Sequence, residues 1–277
     1  MSSTHHDEVN EAERRRWNDE QWTESWPRRE DLTDAATGPL LDAVLPQDGE
    51  RILDVGSGAG ATALEAARRT APNGLVVGAD ISVQLTDFAR SRAAAAEVGN
   101  VRFLVADVQV DRIEGGLFDA AISQFGVMFF DEPAAAFANI RENVVTGGRF
   151  CFASWLAPSE NPWFLGPVLK EFVGPPPLPA PGKHATGPFA LADLNEVGSL
   201  LESAGWESVD CAAVRSTTTV SRDAIADDSQ LKMVGISDEQ FGRARQLVDG
   251  YLSQFRVDDG HYEVPTAFAI VSARAPA

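Results

Sequence analysis

The chain has 277 residues, 44% of them apolar, which is enough to bury the core of one large α/β domain. Its 41 acidic and 23 basic residues give a formal net charge of −18 at pH 7, and this negative excess disfavours nucleic acid as substrate or partner. The sequence has no apolar run long enough for a membrane span and no leader pattern at its start, which predicts a soluble, cytoplasmic protein.

The first forty residues are expected to form a helical, tryptophan-rich cap, residues 1–40. The charged run from Glu11 to Arg16 favours a helix, and Trp17, Trp22 and Trp26 follow it closely. Tryptophans seldom stay in water, because each can bury ~150–250 Å². Two compatible interpretations stay open: the tryptophans dock the cap onto the domain, or one or more of them also cover a ligand pocket.

A glycine-rich turn follows the cap. The stretch Ile52–Leu64 predicts a strand, a turn with three glycines and a helix that begins near Gly60. Gly56, Gly58 and Ala61 match the dinucleotide pattern G-x-G-x-x-G/A, which is a weak signal by itself. The turn therefore predicts a nucleotide-like ligand with an anionic group, and it leaves the kind of ligand open.

The next hundred residues alternate strand-length apolar runs with helical stretches, which predicts a parallel sheet with helices on both faces. Three of these runs carry an acid at or near their end: Asp54, Asp80 and Asp107. Ligands of such sheets bind outside the carboxyl ends of the strands, so the three acids should converge on one crevice. The expected strands are 51–55, 75–79, 101–106, 117–124 and 148–155.

Two insertions interrupt the remainder of the main domain, residues 41–277. The first, about 157–190, is rich in proline and predicts a long loop or lid. The second, about 221–262, is polar and helical. The other expected elements are a helix at 192–204 capped by Gly205, a strand at 206–218 and a last strand at 267–274.

Taken together, these motifs resemble the class I S-adenosylmethionine-dependent methyltransferases, in particular the small-molecule group of the ubiquinone/menaquinone-biosynthesis type. The resemblance covers roughly residues 40 to 156 well and the rest loosely. It implies an α/β, doubly wound, mostly parallel seven-stranded Rossmann-like sheet with an antiparallel last strand.

The resemblance also implies a role for each part of the crevice. The turn would wrap the methionyl end of S-adenosylmethionine, Asp80 would bind both ribose hydroxyls, and Asp107 would accept from the adenine amino group. Gln124 would lie next to the sulfonium, with Trp17 as a roof. The implied cofactor residues are Asp54, Gly56, Ser57, Gly58, Gly60, Asp80, Ile81, Ser82, Asp107, Val108, Gln124 and Trp17.

The acceptor pocket should be aromatic. The segment from Phe125 to Pro133 resembles the loop that borders the transferable methyl group, and Asn161-Pro162-Trp163 resembles a motif after the fifth strand. The expected acceptor-binding residues are Phe125, Met128, Phe129, Trp163 and Trp26. Met128 and Phe129 are equally compatible with the core.

The implied function is methyl transfer to O, N or C of a small, largely apolar or aromatic acceptor, with S-adenosyl-L-homocysteine as product. An NAD-dependent oxidoreductase is disfavoured, since Tyr251 and Tyr262 are the only tyrosines and neither begins a Tyr-x-x-x-Lys pattern. A catalytically idle S-adenosylmethionine-binding protein is the third hypothesis. The tryptophan segment and the proline-rich loop are expected to close over the crevice together.

Other residue types add little. Cys151 and Cys211 are interpreted as buried thiols, and no metal site is expected. His184 and His261 are interpreted as surface or loop histidines, so the sequence assigns no catalytic base. The oligomeric state stays open, a homodimer being one option.

Overall fold

The central feature of the protein is a seven-stranded sheet with the order β3-β2-β1-β4-β5-β7-β6. The computed structural model describes residues 10–174, 184–228, 231 and 234–277. The strands are β1 Arg51–Val55, β2 Leu75–Asp80, β3 Val101–Val105, β4 Phe118–Gln124, β5 Val144–Trp155, β6 Glu207–Ser221 and β7 His261–Arg274. This order confirms the predicted Rossmann-like fold.

Helices cover the sheet and also precede it. Those before β1 are α1 Glu11–Trp17, α2 Glu20–Thr33 and α3 Thr37–Val44. Those between β1 and β5 are α4 Ala61–Thr70, α5 Val83–Ala95 and α6 Pro133–Glu142. Those after β5 are α7 Gly166–Leu169, α8 Leu194–Ser203, α9 Arg222–Ala226 and α10 Asp238–Leu252. Among the described residues, no helix combines the length and the apolar character that crossing a bilayer requires.

The five N-terminal strands pair in parallel, and β1 lies between β2 and β4. Ile52 and Leu53 of β1 are completely buried, because helices cover both faces of a parallel sheet and each face needs apolar side chains. The parallel order brings the carboxyl ends of β1 to β4 to one edge. The candidate functional site lies at this edge.

The last two strands form an antiparallel hairpin, with β7 inserted between β5 and β6. Arg149 to Trp155 of β5 pair with Phe268 to Arg274, so residues 261–267 extend beyond β5 and pair with β6. Burial alternates over residues 261–266, which is the pattern of a strand with one exposed face. The hairpin is therefore longer than the strands expected at 206–218 and 267–274.

One boundary differs from the sequence prediction. The fifth strand begins at Val144 rather than near residue 148, because Val144 pairs with Phe118 across a register shift. Helix α6 ends at Glu142, so only Asn143 separates it from the strand. In contrast, Gly205 ends α8 as expected, with φ of +83° and the Trp206 N–H donating to the Leu201 carbonyl.

The N-terminal helices divide between the core and the surface. Leu40, Leu41 and Val44 of α3 are completely buried, so this helix crosses the boundary that we expected at residue 40. Helix α2 packs against β6 and α9 in the second insertion. Arg28 of α2 lies 3.9 Å from Asp227, just after α9.

Neither the cysteines nor the described histidines are among the residues that line the crevice at this sheet edge. Cys151 is buried, and burial raises the pKa of its thiol to about 12, whereas Cys211 is only half-buried. The thiols are free, as expected. His184 and His261 are exposed, and His261 hydrogen-bonds Asp258 through Nδ1 at 2.8 Å.

Candidate functional site

The glycine turn links the end of β1 to the start of α4. Gly56 and Gly60 have φ of +67° and +84°, in the left-handed region that favours glycine. A Cβ on Gly60 would lie 2.8 Å from the Phe103 ring, and one on Gly56 would lie 3.0 Å from the Gly126 backbone. Both positions therefore require glycine, and the turn exposes backbone rather than side chains to the crevice.

Asp80 at the end of β2 holds this turn in place. One carboxylate oxygen accepts the Gly58 N–H at 2.7 Å and the other accepts the Ser82 N–H at 2.8 Å. Burial raises the pKa of Asp80, although these two N–H groups lower it in part. Each oxygen has two lone pairs, so each keeps one for a ligand.

Asp54 lies in β1 beneath the turn and is only 1% exposed. Among the described residues, neither of its carboxylate oxygens has a hydrogen-bond partner. Burial, and secondly the charge of Asp80, raise the pKa of Asp54 well above its ordinary value. The Ala63 N–H lies near enough to lower that pKa in part, but without hydrogen-bond geometry, so the group remains short of donors.

Asp107 follows β3 and contacts the N-terminal cap. The Asn10 side-chain amide donates to both of its oxygens, at 2.9 and 3.0 Å, and Arg14 lies 3.5 Å from one of them. The Gln109 N–H donates to the other oxygen at 3.0 Å. Burial raises the pKa of Asp107, and these neighbours oppose the increase. Its acceptor capacity is therefore largely taken by the protein.

Gln124 ends β4 and is fixed by three hydrogen bonds. Its side-chain oxygen accepts from Thr37 at 2.9 Å and Thr62 at 3.1 Å, and its nitrogen donates to the Thr33 carbonyl at 3.0 Å. These partners lie on the N-terminal helices and on α4. Gln124 therefore joins the cap to the sheet and presents its side chain in one orientation.

Aromatic rings form the other side of the crevice. Trp17 packs edge-to-face against Trp26 and Phe129, with centroids 5.2 and 5.1 Å apart. Phe125 stacks on Trp155 at 4.0 Å. Glu13 lies among these rings, where its carboxylate accepts the Trp17 indole N–H at 3.0 Å.

The N-terminal cap and the proline-rich insertion also meet there. Thr186, in the proline-rich segment, donates to Glu13 at 3.3 Å, and the Gly187 N–H donates to the Met128 carbonyl at 3.1 Å. Residues 175–183, which include most of the prolines, lie outside the described residues, as does the side chain of Trp22. The contact between Thr186 and Glu13 agrees with the hypothesis that these segments cover the crevice together.

These groups enclose one cavity of about 680 Å³, counting the part open to solvent. Expected site residues that line it are Gly56, Gly58, Asp80, Ile81, Asp107, Val108, Gln124, Trp17, Phe125, Phe129 and Trp26. Those that are not among its lining residues are Asp54, Ser57, Gly60, Ser82, Met128 and Trp163. The structure thus brings most of the expected residues together.

Three of the residues outside the lining have structural partners of their own: Ser82, Met128 and Trp163. Ser82 caps α5 by accepting the Leu85 N–H at 3.2 Å, and the Met128 sulfur lies 3.4 Å from the Trp155 backbone nitrogen. Trp163 donates its indole N–H at 3.0 Å to Asn161, which also binds both backbone groups of Ala267 at 2.9 Å. The Asn161-Pro162-Trp163 motif therefore braces the end of the β5–β7 pair.

The sequence interpretation did not include Asn10 and Glu13 among the site residues, although both line the cavity. Asn10 adopts a left-handed conformation with φ of 54° directly before α1. Asparagine tolerates that conformation better than most residues do, and its position before a charged helical run was the available signal. Glu13 gave no signal, since it is one of several charges in that run.

Residues 52–148 match the family model for a methyltransferase domain. The chain is 31% identical over 134 residues to the aklanonic acid methyltransferase of Streptomyces sp. (strain C5), covering 48% of this chain and 61% of that protein. It is 29% identical over 177 residues to the nocamycin O-methyltransferase of Saccharothrix syringae, covering 59% and 63%. It therefore spans less than two thirds of either relative.

Among solved structures, the YcgJ protein of Bacillus subtilis matches with a TM-score of 0.60 at 15% identity, over 88% of this chain and 99% of that one. The fold and the crevice define a Rossmann-like α/β domain with a cavity at the carboxyl ends of the strands, where ligands of such sheets bind. Within this class, residues 52–148 match the methyltransferase-domain family, and the relatives named above are methyltransferases.

Proposed function

We propose that the protein transfers the methyl group of S-adenosylmethionine to O, N or C of a small, largely apolar or aromatic acceptor. The observation that carries this proposal is a single cavity that joins the glycine turn and Asp80 to a group of aromatic rings. One side offers backbone and carboxylates, and the other offers Trp17, Trp26 and Phe129. Such a division suits a polar cofactor beside an apolar acceptor.

The residues fit the cofactor at three points. Asp80 keeps one free lone pair on each oxygen, which suits two ribose hydroxyls. Asp54 lacks donors, so a ligand ammonium near the turn would compensate its buried charge. The turn itself exposes backbone N–H groups at the start of α4, which favours a carboxylate.

The expected contact between Asp107 and the adenine ring requires a movement of the Asn10 side chain. Asp107 would accept from the adenine amino group, but Asn10 already donates to both of its oxygens. The Asn10 amide must therefore turn away before an adenine amine takes its place. Ile81 and Val108 line the cavity on the same side and would pack beside the ring.

In this proposal the chain positions the two reactants and excludes water from them. When bound, S-adenosylmethionine supplies a methyl group already activated by its sulfonium, which an acceptor atom displaces in line. Gln124 and Phe125 are held rigidly at the end of β4 and would fix the approach of the acceptor. Trp17 and Trp26 would exclude water from above.

Two further parts of the proposal concern context. We place the protein in the cytoplasm and assign it no nucleic-acid substrate, which is supported by its free cysteines and its net charge of −18. The small-molecule acceptors in the names of the two curated relatives support an acceptor of the same size class. The ubiquinone/menaquinone-type subgroup stays a prediction.

Thermal denaturation with candidate ligands tests the cofactor. S-adenosylhomocysteine should raise the melting temperature, and NAD should not, because a ligand that binds only the folded state adds its binding free energy to stability. A shift with NAD alone would favour the oxidoreductase. Transfer of label from radioactive S-adenosylmethionine to a metabolite extract would then separate an enzyme from an idle binding protein.

A further inference from the structure

The aromatic half of the cavity contains one ionisable side chain among its described residues. The ionisable groups that line the whole cavity are the carboxylates of Asp80, Asp107 and Glu13, and no histidine, lysine, arginine, tyrosine or cysteine is among the described lining residues. Asp80 and Asp107 lie at strand ends on the cofactor side. Glu13 is thus the group that remains for chemistry on the acceptor.

Glu13 is held in a defined position. It is 7% exposed, and its two oxygens accept hydrogen bonds from the Trp17 indole at 3.0 Å and the Thr186 hydroxyl at 3.3 Å. The Arg16 guanidinium lies 3.9 Å away. An ionised carboxylate has about four acceptor sites, so capacity remains for a ligand hydroxyl.

The surroundings also make Glu13 a stronger base than a solvated glutamate. Burial raises its pKa, and the charge of Asp131 acts in the same direction. Arg16 and the hydrogen bonds from Thr186 and Trp17 oppose the increase without cancelling it. A carboxylate with a raised pKa holds a proton more readily during a reaction.

The other side chains considered as proton acceptors are less suitable than Glu13. Both polar atoms of the Gln124 side chain are already paired, and an amide does not titrate. His184 is exposed, and His261 is exposed and paired with Asp258. Neither histidine lines the cavity.

We propose that Glu13 is a catalytic residue that accepts the proton of a hydroxyl group on a flat, uncharged aromatic acceptor. The inference rests on the proposed methyltransferase function. Aromatic walls favour a flat ring, and three lining carboxylates disfavour an anionic acceptor such as a carboxylic acid. A hydroxyl oxygen gains most from a base, whereas a neutral amine already has a free lone pair.

The step balances without another reactant. The hydroxyl oxygen forms a bond to the methyl carbon as the bond from that carbon to sulfur breaks, and the electron pair of this bond stays on sulfur as a neutral thioether. The hydroxyl proton passes to Glu13. The resulting neutral carboxyl group returns the proton to solvent after the products leave.

The test compares Glu13→Gln with Glu11→Gln, which removes the same charge from an exposed position of the same helix. Calorimetry with S-adenosylhomocysteine comes first. Wild type and both variants should bind it with similar affinity, which also shows that they fold, and Glu13→Asp provides a second variant should Glu13→Gln not fold. Failure of wild type to bind would overturn the methyltransferase function itself rather than the role of Glu13.

The second measurement uses probes of known chemistry on the protein saturated with S-adenosylhomocysteine. The probes are naphthols and hydroxyanthraquinones, with their O-methyl ethers and the corresponding carboxylic acids. We expect the hydroxyl compounds to bind wild type and Glu11→Gln at least tenfold more tightly than Glu13→Gln, and the ethers to bind all three alike. The acid analogues should bind most weakly.

The third measurement is kcat/KM for methylation of a hydroxyl probe that binds, determined as a function of pH. Wild-type kcat/KM should fall tenfold per pH unit below the pKa of Glu13, and Glu13→Gln should lack this limb. Equal binding of hydroxyls and ethers by wild type, or an unchanged limb in Glu13→Gln, overturns the assignment. Binding of no hydroxyl probe to the loaded protein overturns the acceptor class.

Discussion

Replacing Asp80 with alanine tests whether one carboxylate both shapes the turn and binds the ligand. The change leaves the Gly58 and Ser82 N–H groups without their acceptor in a buried place. Each unsatisfied buried donor costs ~1–3 kcal/mol of stability. Removal of the buried carboxylate, which is itself unfavourable, offsets part of this cost. We therefore expect Asp80→Ala to lower the free energy of unfolding by about 2–4 kcal/mol even without ligand.

The same change should weaken the cofactor site. Losing two hydrogen bonds to a charged acceptor, each worth ~1.5–3 kcal/mol, predicts that S-adenosylhomocysteine binds more than about tenfold more weakly. Urea denaturation without ligand measures the first effect, and titration calorimetry measures the second. Asp87→Ala is the control, because Asp87 is exposed and pairs only with Arg90 in the ion pairs described.

The two measurements can fail separately. An unchanged free energy of unfolding would show that the turn keeps its shape without the carboxylate. An unchanged dissociation constant would show that Asp80 acts on the turn alone and does not reach the ligand.

Two other changes follow from buried polar groups. The raised pKa of Asp54 means that its contribution to stability is complete below the unfolded-state value near 3.8 and is lost as pH rises through the folded-state pKa. Asp54→Asn should therefore flatten the loss of stability with rising pH in urea titrations, and a slope equal to that of wild type would contradict this. Asn161→Ala should lower the free energy of unfolding by about 2 kcal/mol, since the Ala267 N–H loses the Asn161 oxygen, while the Ala267 carbonyl keeps the Leu156 N–H. Thermal and urea denaturation measure it, and a loss below about 1 kcal/mol would show that backbone or water replaces the amide.

The strands and the turn could be predicted from the sequence because their signals are local. Buried parallel strands require continuous apolar runs, and the positive φ angles at Gly56 and Gly60 require glycine, so the sequence shows both features directly. Strand ends were less predictable. Val144 joins β5 only because Phe118 pairs with it across an irregular register, which depends on contacts between distant segments.

The roof of the cavity could not be predicted in detail for the same reason. Trp17 and Trp26 were expected to be buried, but the residues that they contact depend on how α1 and α2 pack against the domain. Asn10 contacts Asp107, 97 positions away, and nothing near Asn10 in the sequence indicates this. The start of the last strand, however, had a local signal. Tyr262 and Val264 alternate with polar His261 and Glu263, which is a strand pattern, and the expected start at 267 left it out.

The contact between Glu13 and Thr186 has a consequence for how the protein is made. The two residues are 173 positions apart, and α2 rests on α9, still later in the chain. A ribosome releases the N-terminal helices long before their supports exist, and long-range contacts of this kind form slowly. The sheet edge with its glycine turn can be complete, and the roof can already contact Asp107 and Phe129, while Thr186 and α9 are still to be made. The roof of the cavity is therefore the last part of the site to be completed.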